Sequence, residues 1–139
     1  MTAKPPRDPF ADLPAHCVRP LEPYAAADLE RWARATGQRY VHVDLAGARD
    51  RKGVLRAIGR ALQFPSYYGA NLDALYDCLT DLPERDDIRA WLIVLPPLPA
   101  AMDVEQRDAL LDVFRDATEA FADAGIGLRV FHAADGVDH

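Results

Sequence analysis

The chain has 139 residues, half of them apolar, which is enough for one domain that buries its own core, plus a tail. Its net charge of −6 and pI near 5.1 argue against direct binding to nucleic acid, since phosphates repel an acidic surface. They favour a basic partner instead.

Residues 1–15 hold four prolines and few large apolar groups, and read as a disordered or loosely docked tail. They contain no apolar run of the kind a secretory signal needs. No stretch reaches the roughly 18 apolar residues that span a bilayer. A reducing, cytoplasmic setting follows as an expectation, with Cys17 and Cys78 as thiols. Neither cysteine lies in a CxxC pair or a Cys/His cluster, so no structural zinc is expected.

His16 to Leu21 reads as a short edge strand. Tyr24, Ala25, Asp28, Leu29 and Trp32 recur at three- and four-residue steps before Gly37, which predicts an amphipathic helix. Residues 16–39 therefore form a strand-plus-helix extension. Tyr40 to Leu45 alternates and is rich in β-branched and aromatic residues, which predicts a strand. Asp50 caps a predicted helix running to about Leu62, with Val54, Leu55, Ile58 and Leu62 on one face. Pro65 ends it, and Tyr67-Tyr68-Gly69 makes a turn. Asn71 to Leu82 is a short predicted helix, followed by a charged loop from Pro83 to Arg89. Trp91 to Leu95 is apolar without alternation, the pattern of a strand buried on both faces. Asp103 to Ala124 is a long predicted helix closed by Gly125, Gly127 to Phe131 a last strand, and 132–139 a polar tail. Alternating strands and helices imply βαβ units around a small parallel sheet, with right-handed crossovers.

The charge is unevenly spread. Residues 40–69 carry a net +3, residues 70–90 a net −4 and residues 103–126 a net −5. At about 100° per residue, Leu72, Leu75, Cys78 and Leu79 fall on one side of the helix from Asn71. Asp73, Asp77 and Asp81 form a stripe on the other, with Tyr76 at the border. In the long helix, Leu110, Phe114, Ala117, Thr118 and Phe121 form the core face, and Asp108, Asp112, Asp116, Glu119 and Asp123 the opposite one. Like charges at i, i+4 cost a helix a few tenths of a kcal/mol each, yet these acids stand almost unrelieved by lysine. Such stripes are either solvated faces or a surface built to meet positive charge.

The run FPSYYGANLDALYDCLTDL, Phe64 to Leu82, closely resembles the signature region of the barstar family. It matches that family's pattern at Pro65, Tyr67, Tyr68, Gly69, Asn71, Asp73, Ala74, Leu75, Asp77, Cys78, Leu79 and Thr80. Weaker similarity covers 40–131, including Val113 to Ala117 in the last helix. The resemblance implies a three-stranded parallel sheet layered against helices over 40–131. It also implies a protein inhibitor, an immunity protein of the toxin–antitoxin kind, that blocks a basic ribonuclease one to one by plugging its active site with the turn and the acidic helix. Asp73 and Asp77 would meet the arginines, lysine and histidine that hold RNA phosphate, Tyr67 would pack on the enzyme, and Asp116 would supply the acid of the last helix. Three positions depart from the pattern. Ala70 stands for a glutamate, Tyr76 for a tryptophan, and Asp116 for a longer glutamate.

The expected partner-binding residues are thus Tyr67, Tyr68, Gly69, Asn71, Asp73, Tyr76, Asp77 and Asp116. Tyr68 reads equally as core, Asn71 as a helix N-cap, Gly69 as a turn former and Cys78 as a small core residue. No His is placed by sequence beside a Ser, Cys or carboxylate pair, so no catalytic residue, metal or cofactor is assigned. Two rivals stand beside this reading. One is an immunity or regulatory protein for a different basic toxin. The other is a metal-dependent enzyme using the paired aspartates.

Overall fold

Trp91 to Leu95 lies where an unbroken apolar run belongs, inside the sheet. The computed structural model describes residues 10–85 and 87–134. Its elements are β1 (His16–Pro20), α1 (Ala26–Ala35), β2 (Arg39–His42), α2 (Arg51–Ala61), α3 (Leu72–Arg85), β3 (Ala90–Leu95), α4 (Val104–Ala124) and β4 (Gly127–His132). All strand pairs are parallel, in the order β1-β4-β3-β2.

The sheet therefore has four strands, not the three expected for the domain. The fourth is β1, which pairs with β4 in register from His16 opposite Leu128 to Pro20 opposite His132. The N-terminal extension is thus continuous with the sheet. β2 is shorter than expected, although the Val43 N–H still donates to the Val94 carbonyl at 3.0 Å. Asp44 then ends the strand by accepting from the Ala46 N–H.

Strand order explains the two layers. From β2 through β3 to β4 the chain moves in one direction across the sheet, and α2, α3 and α4 lie on one face. From β1 to β2 it moves the opposite way. Crossovers of one hand then require α1 on the other face. On the first face, Trp91, Ile93, Leu95, Leu128 and Val130 pack against Val54, Leu75, Phe114 and Phe121. On the second, Leu92, Val94 and Phe131 pack against Leu29, Ala33 and Phe10. Arg129 fastens this second layer, its guanidinium 4.9 Å from the Trp32 ring centre and hydrogen-bonded at 2.8 Å to Gln38.

Residues 1–9 and 135–139 of the two expected tails, and Asp86, lie outside the described residues. Phe10 and Leu13 are buried, and Phe10 packs on the rings of Tyr24 and Trp32.

Helix ends follow local chemistry. Asp103 and Gln106 form a reciprocal capping box at the start of α4, and Asp50 caps α2 through the Gly53 N–H. α3 runs through Pro83 to Arg85 rather than stopping at Leu82. The Arg85 guanidinium donates to the carbonyls of Leu62 and Gln63, both at 2.9 Å, which ties the last turn of α3 to the end of α2. Within α4, Leu111 is buried where Thr118 was expected, and Thr118 turns its hydroxyl to the Arg115 carbonyl.

α2 and α4 end in the same hydrogen-bond pattern, with two successive N–H groups (Gln63 and Phe64 after α2, Gly125 and Ile126 after α4) reaching back three and five residues. α4 places Gly125 at the left-handed position, φ 74°, whereas α2 places the exposed Gln63 there at φ 56°. Gln63→Gly should therefore stabilise the fold by about 1 kcal/mol, read as a higher urea midpoint at unchanged slope. An unchanged or lower midpoint would show that Gln63 bears no strain.

Candidate functional site

The helix from Leu72 begins with a side-chain cap. Asn71 accepts the Ala74 N–H at 2.8 Å, so its side chain serves the helix start. With that start fixed, Leu75, Cys78, Leu79 and Leu82 face the core, and Asp73, Asp77 and Asp81 face outward. α4 packs beside α3, its buried side given by Leu110, Phe114, Ala117 and Phe121.

Between the two helices lies an open cleft of about 740 Å³. Four of the expected site residues, Asp73, Tyr76, Asp77 and Asp116, come together there. Leu72 and Val113 also line it, as do two acids the sequence reading placed on the acidic face of α4 but not in the site, Glu119 and Asp123. The signal for both was present, because 116, 119 and 123 follow one helical stripe. None of these five carboxylates makes an ion pair with a described residue. Tyr76 is 38% exposed, so its ring edges the cleft and does not fill the core.

Tyr67 stands at the tip of the turn before α3 and is 77% exposed. Tyr68, its neighbour, does the opposite. Its ring lies edge-on to Phe64, and its hydroxyl donates to the Leu55 carbonyl at 3.0 Å. Gly59 makes this possible, since a Cβ there would come within 2.7 Å of the Tyr68 ring. A Cβ on Gly69 would come 3.2 Å from the Asn71 amide nitrogen, and the left-handed residue of this turn is Ala70, φ 51°, not Gly69. Gly69 aside, the turn thus divides the other seven expected residues. Tyr67 and the four cleft residues reach solvent together, whereas Tyr68 and Asn71 hold the turn and helix in place.

Burial pushes the Tyr68 hydroxyl well above the usual tyrosine value, with the Cys78 thiol adding to the rise. A neutral hydroxyl is therefore favoured in the fold, and its contribution is intact below about pH 10 and lost as pH rises further. Tyr68→Phe should flatten that alkaline loss while costing about 0.5–1.5 kcal/mol at neutral pH for the missing hydrogen bond. Urea unfolding of both forms between about pH 8 and pH 11 reads both effects, and identical alkaline slopes would remove Tyr68 as their source.

Cys17 and Cys78 are both free thiols. Burial pushes Cys78 up, with Asp81 and Asp77 adding to the rise, so it is a poor nucleophile. Among the described residues, no three His, Cys, Asp or Glu side chains are grouped to share a metal ion. No helix among them is long and apolar enough to cross a membrane.

The sequence matches the family described as Barstar (barnase inhibitor) over residues 38–133. No curated protein matches it closely enough to be named beside that family. The matched region runs from just before β2 to just after β4 and contains the turn, α3, α4 and the whole cleft. The parallel sheet with its helical layer, and a family match over more than half of the sequence, lead to one conclusion: the chain belongs to the barstar family.

Proposed function

We propose that the chain inhibits a basic ribonuclease of the barnase type, binding one to one and covering the enzyme's active site with the α3–α4 cleft and the Tyr67 turn. The observation that carries this reading is the cleft itself. Five carboxylates with no ion-pair partner among the described residues line one hollow, beside an exposed aromatic ring, inside the family-matched region. A ribonuclease must offer cations where RNA phosphates bind. Carboxylates fixed on two helices can take the place of those phosphates through charge-assisted hydrogen bonds to arginine and lysine. Because the helices are already ordered, little conformational entropy is lost on docking. Tyr67 adds a large contact area with few rotatable bonds. The chain acts by occlusion and performs no chemistry of its own.

The test is stopped-flow association with a barnase-type ribonuclease, together with titration of its RNA cleavage. Cleavage should stop at one inhibitor per enzyme. The association rate should fall as salt rises from about 0.02 M to about 0.5 M, because screened fields steer less. A complex whose association rate ignores salt, or full cleavage with excess inhibitor present, would overturn the reading.

A further inference from the structure

The helical layer carries charge of both signs, and each sign has its own hollow. α2 presents Lys52, Arg56 and Arg60 one turn apart on its exposed face. None of the three pairs with a described acid. They line a groove of about 480 Å³ together with Phe64 and Gly69. Only the turn separates this groove from the acidic cleft. The basic groove ends at Gly69 and Ala70, and the acidic cleft begins at Leu72 and Asp73. Tyr67, the most exposed large hydrophobic side chain among the described residues, stands on that turn.

A patch with a positive half, a central aromatic ring and a negative half is complementary to itself. A two-fold axis lying in the interface and passing through the turn exchanges the halves. The basic groove of each copy then faces the acidic cleft of the other, and the two Tyr67 rings meet at the centre. We propose that this face is a docking surface for a second copy of the chain, with Lys52, Arg56 and Arg60 of one protomer against Asp73, Asp77 and Asp116 of its partner.

Cations one helical turn apart would also suit a run of phosphates. The net −6 of the chain, and the acidic α3 and α4 directly beside the groove, repel a polyanion. A second copy instead supplies an acidic cleft for each basic groove, so both hollows are satisfied at once. The dimer covers Asp73 and Asp77, so the monomer is the form with an open cleft. Self-association is read from this chain alone and does not depend on the ribonuclease reading.

Sedimentation equilibrium of the whole chain decides. At roughly 0.1 mM protein the wild type should weigh twice the 15.4 kDa monomer at about 0.02 M salt and return to the monomer mass at about 0.5 M. Arg56→Glu/Arg60→Glu and Asp73→Lys/Asp77→Lys should each be monomeric alone, and mixing the two should restore the dimer mass. The neutral pairs Arg56→Gln/Arg60→Gln and Asp73→Asn/Asp77→Asn replace any reversed variant that fails a circular dichroism check, each again expected to be monomeric. A wild type that is monomeric at low salt overturns the proposal, whether or not the ribonuclease is inhibited. A dimer that survives high salt or the Arg56/Arg60 changes does so as well. Binding of single-stranded oligoadenylate by the monomer, lost in Arg56→Glu/Arg60→Glu, would overturn it in favour of nucleic acid.

Discussion

Asp77→Ala is expected to weaken the complex with a barnase-type ribonuclease by about 2–5 kcal/mol, while the free chain keeps its stability or gains up to about 0.5 kcal/mol. Complexes of this family helped to establish that binding range, so the direction is what the geometry supplies. The Asp77 side chain is exposed and bonded to no described residue; beyond the hydrogen bonds of the helix itself, its backbone carbonyl accepts from the Thr80 hydroxyl. Asp73 and Asp81 stand four residues to either side, so removing Asp77 relieves repulsion along α3. In the complex the same carboxylate would be desolvated against a cation of the enzyme, and its loss would strand that cation. Urea unfolding and ribonuclease affinity, measured on the same preparation, separate the two effects. A sharp fall in stability with unchanged affinity would make Asp77 a structural residue and move the docking face elsewhere.

A second large effect is expected far from the cleft. Leu29→Ala, in α1, should cost about 2–5 kcal/mol of folding stability and leave ribonuclease binding by the folded chain unchanged. Leu29 is fully buried against the sheet face formed by Leu92, Val94 and Phe131. It lies outside the family-matched residues 38–133. Without α1 and Phe10, that face would meet water. If the matched segment were self-sufficient, Leu29→Ala would move the urea midpoint little. A shift below about 0.5 kcal/mol would show that α1 is an appendage.

Much of the fold was legible because its signals are local. The run from Trp91 to Leu95 announced a strand covered on both faces, and Asp103 and Gly125 marked the two ends of α4. The stripes of Asp73 and Asp77 on α3 and Asp116 on α4 followed from helical period alone, and they meet in the cleft. What remained hidden depends on contacts between distant segments. His16 to Pro20 is too short to announce its partner, which lies more than 100 residues away at Leu128 to His132. The inward turn of Tyr68 rests on a missing side chain at Gly59. The end of α3 was misread because proline usually stops a helix. Here the hold of Arg85 on the α2 carbonyls outlasts it. Glu119 and Asp123 entered the cleft only once the packing of α4 against α3 was known.

The place of β1 in the sheet also sets an order of events during synthesis. Of the four strands in this sheet β1 leaves the ribosome first, yet its neighbour in the sheet is β4, the last of them. Until residue 132 has emerged, His16 to Pro20 has no strand to pair with, and part of the sheet face that α1 covers, Phe131, has not been made. β2, α2, α3 and β3 can assemble meanwhile from nearer neighbours, since contacts close in sequence form sooner. At roughly 5–20 residues per second, the apolar stripe of Leu29, Trp32 and Ala33 stays without its full partner surface for several seconds. The sheet's earliest-made strand is thus its last to settle. In the interval the apolar face of α1 has little to cover it, a state in which chaperone capture and aggregation compete with folding.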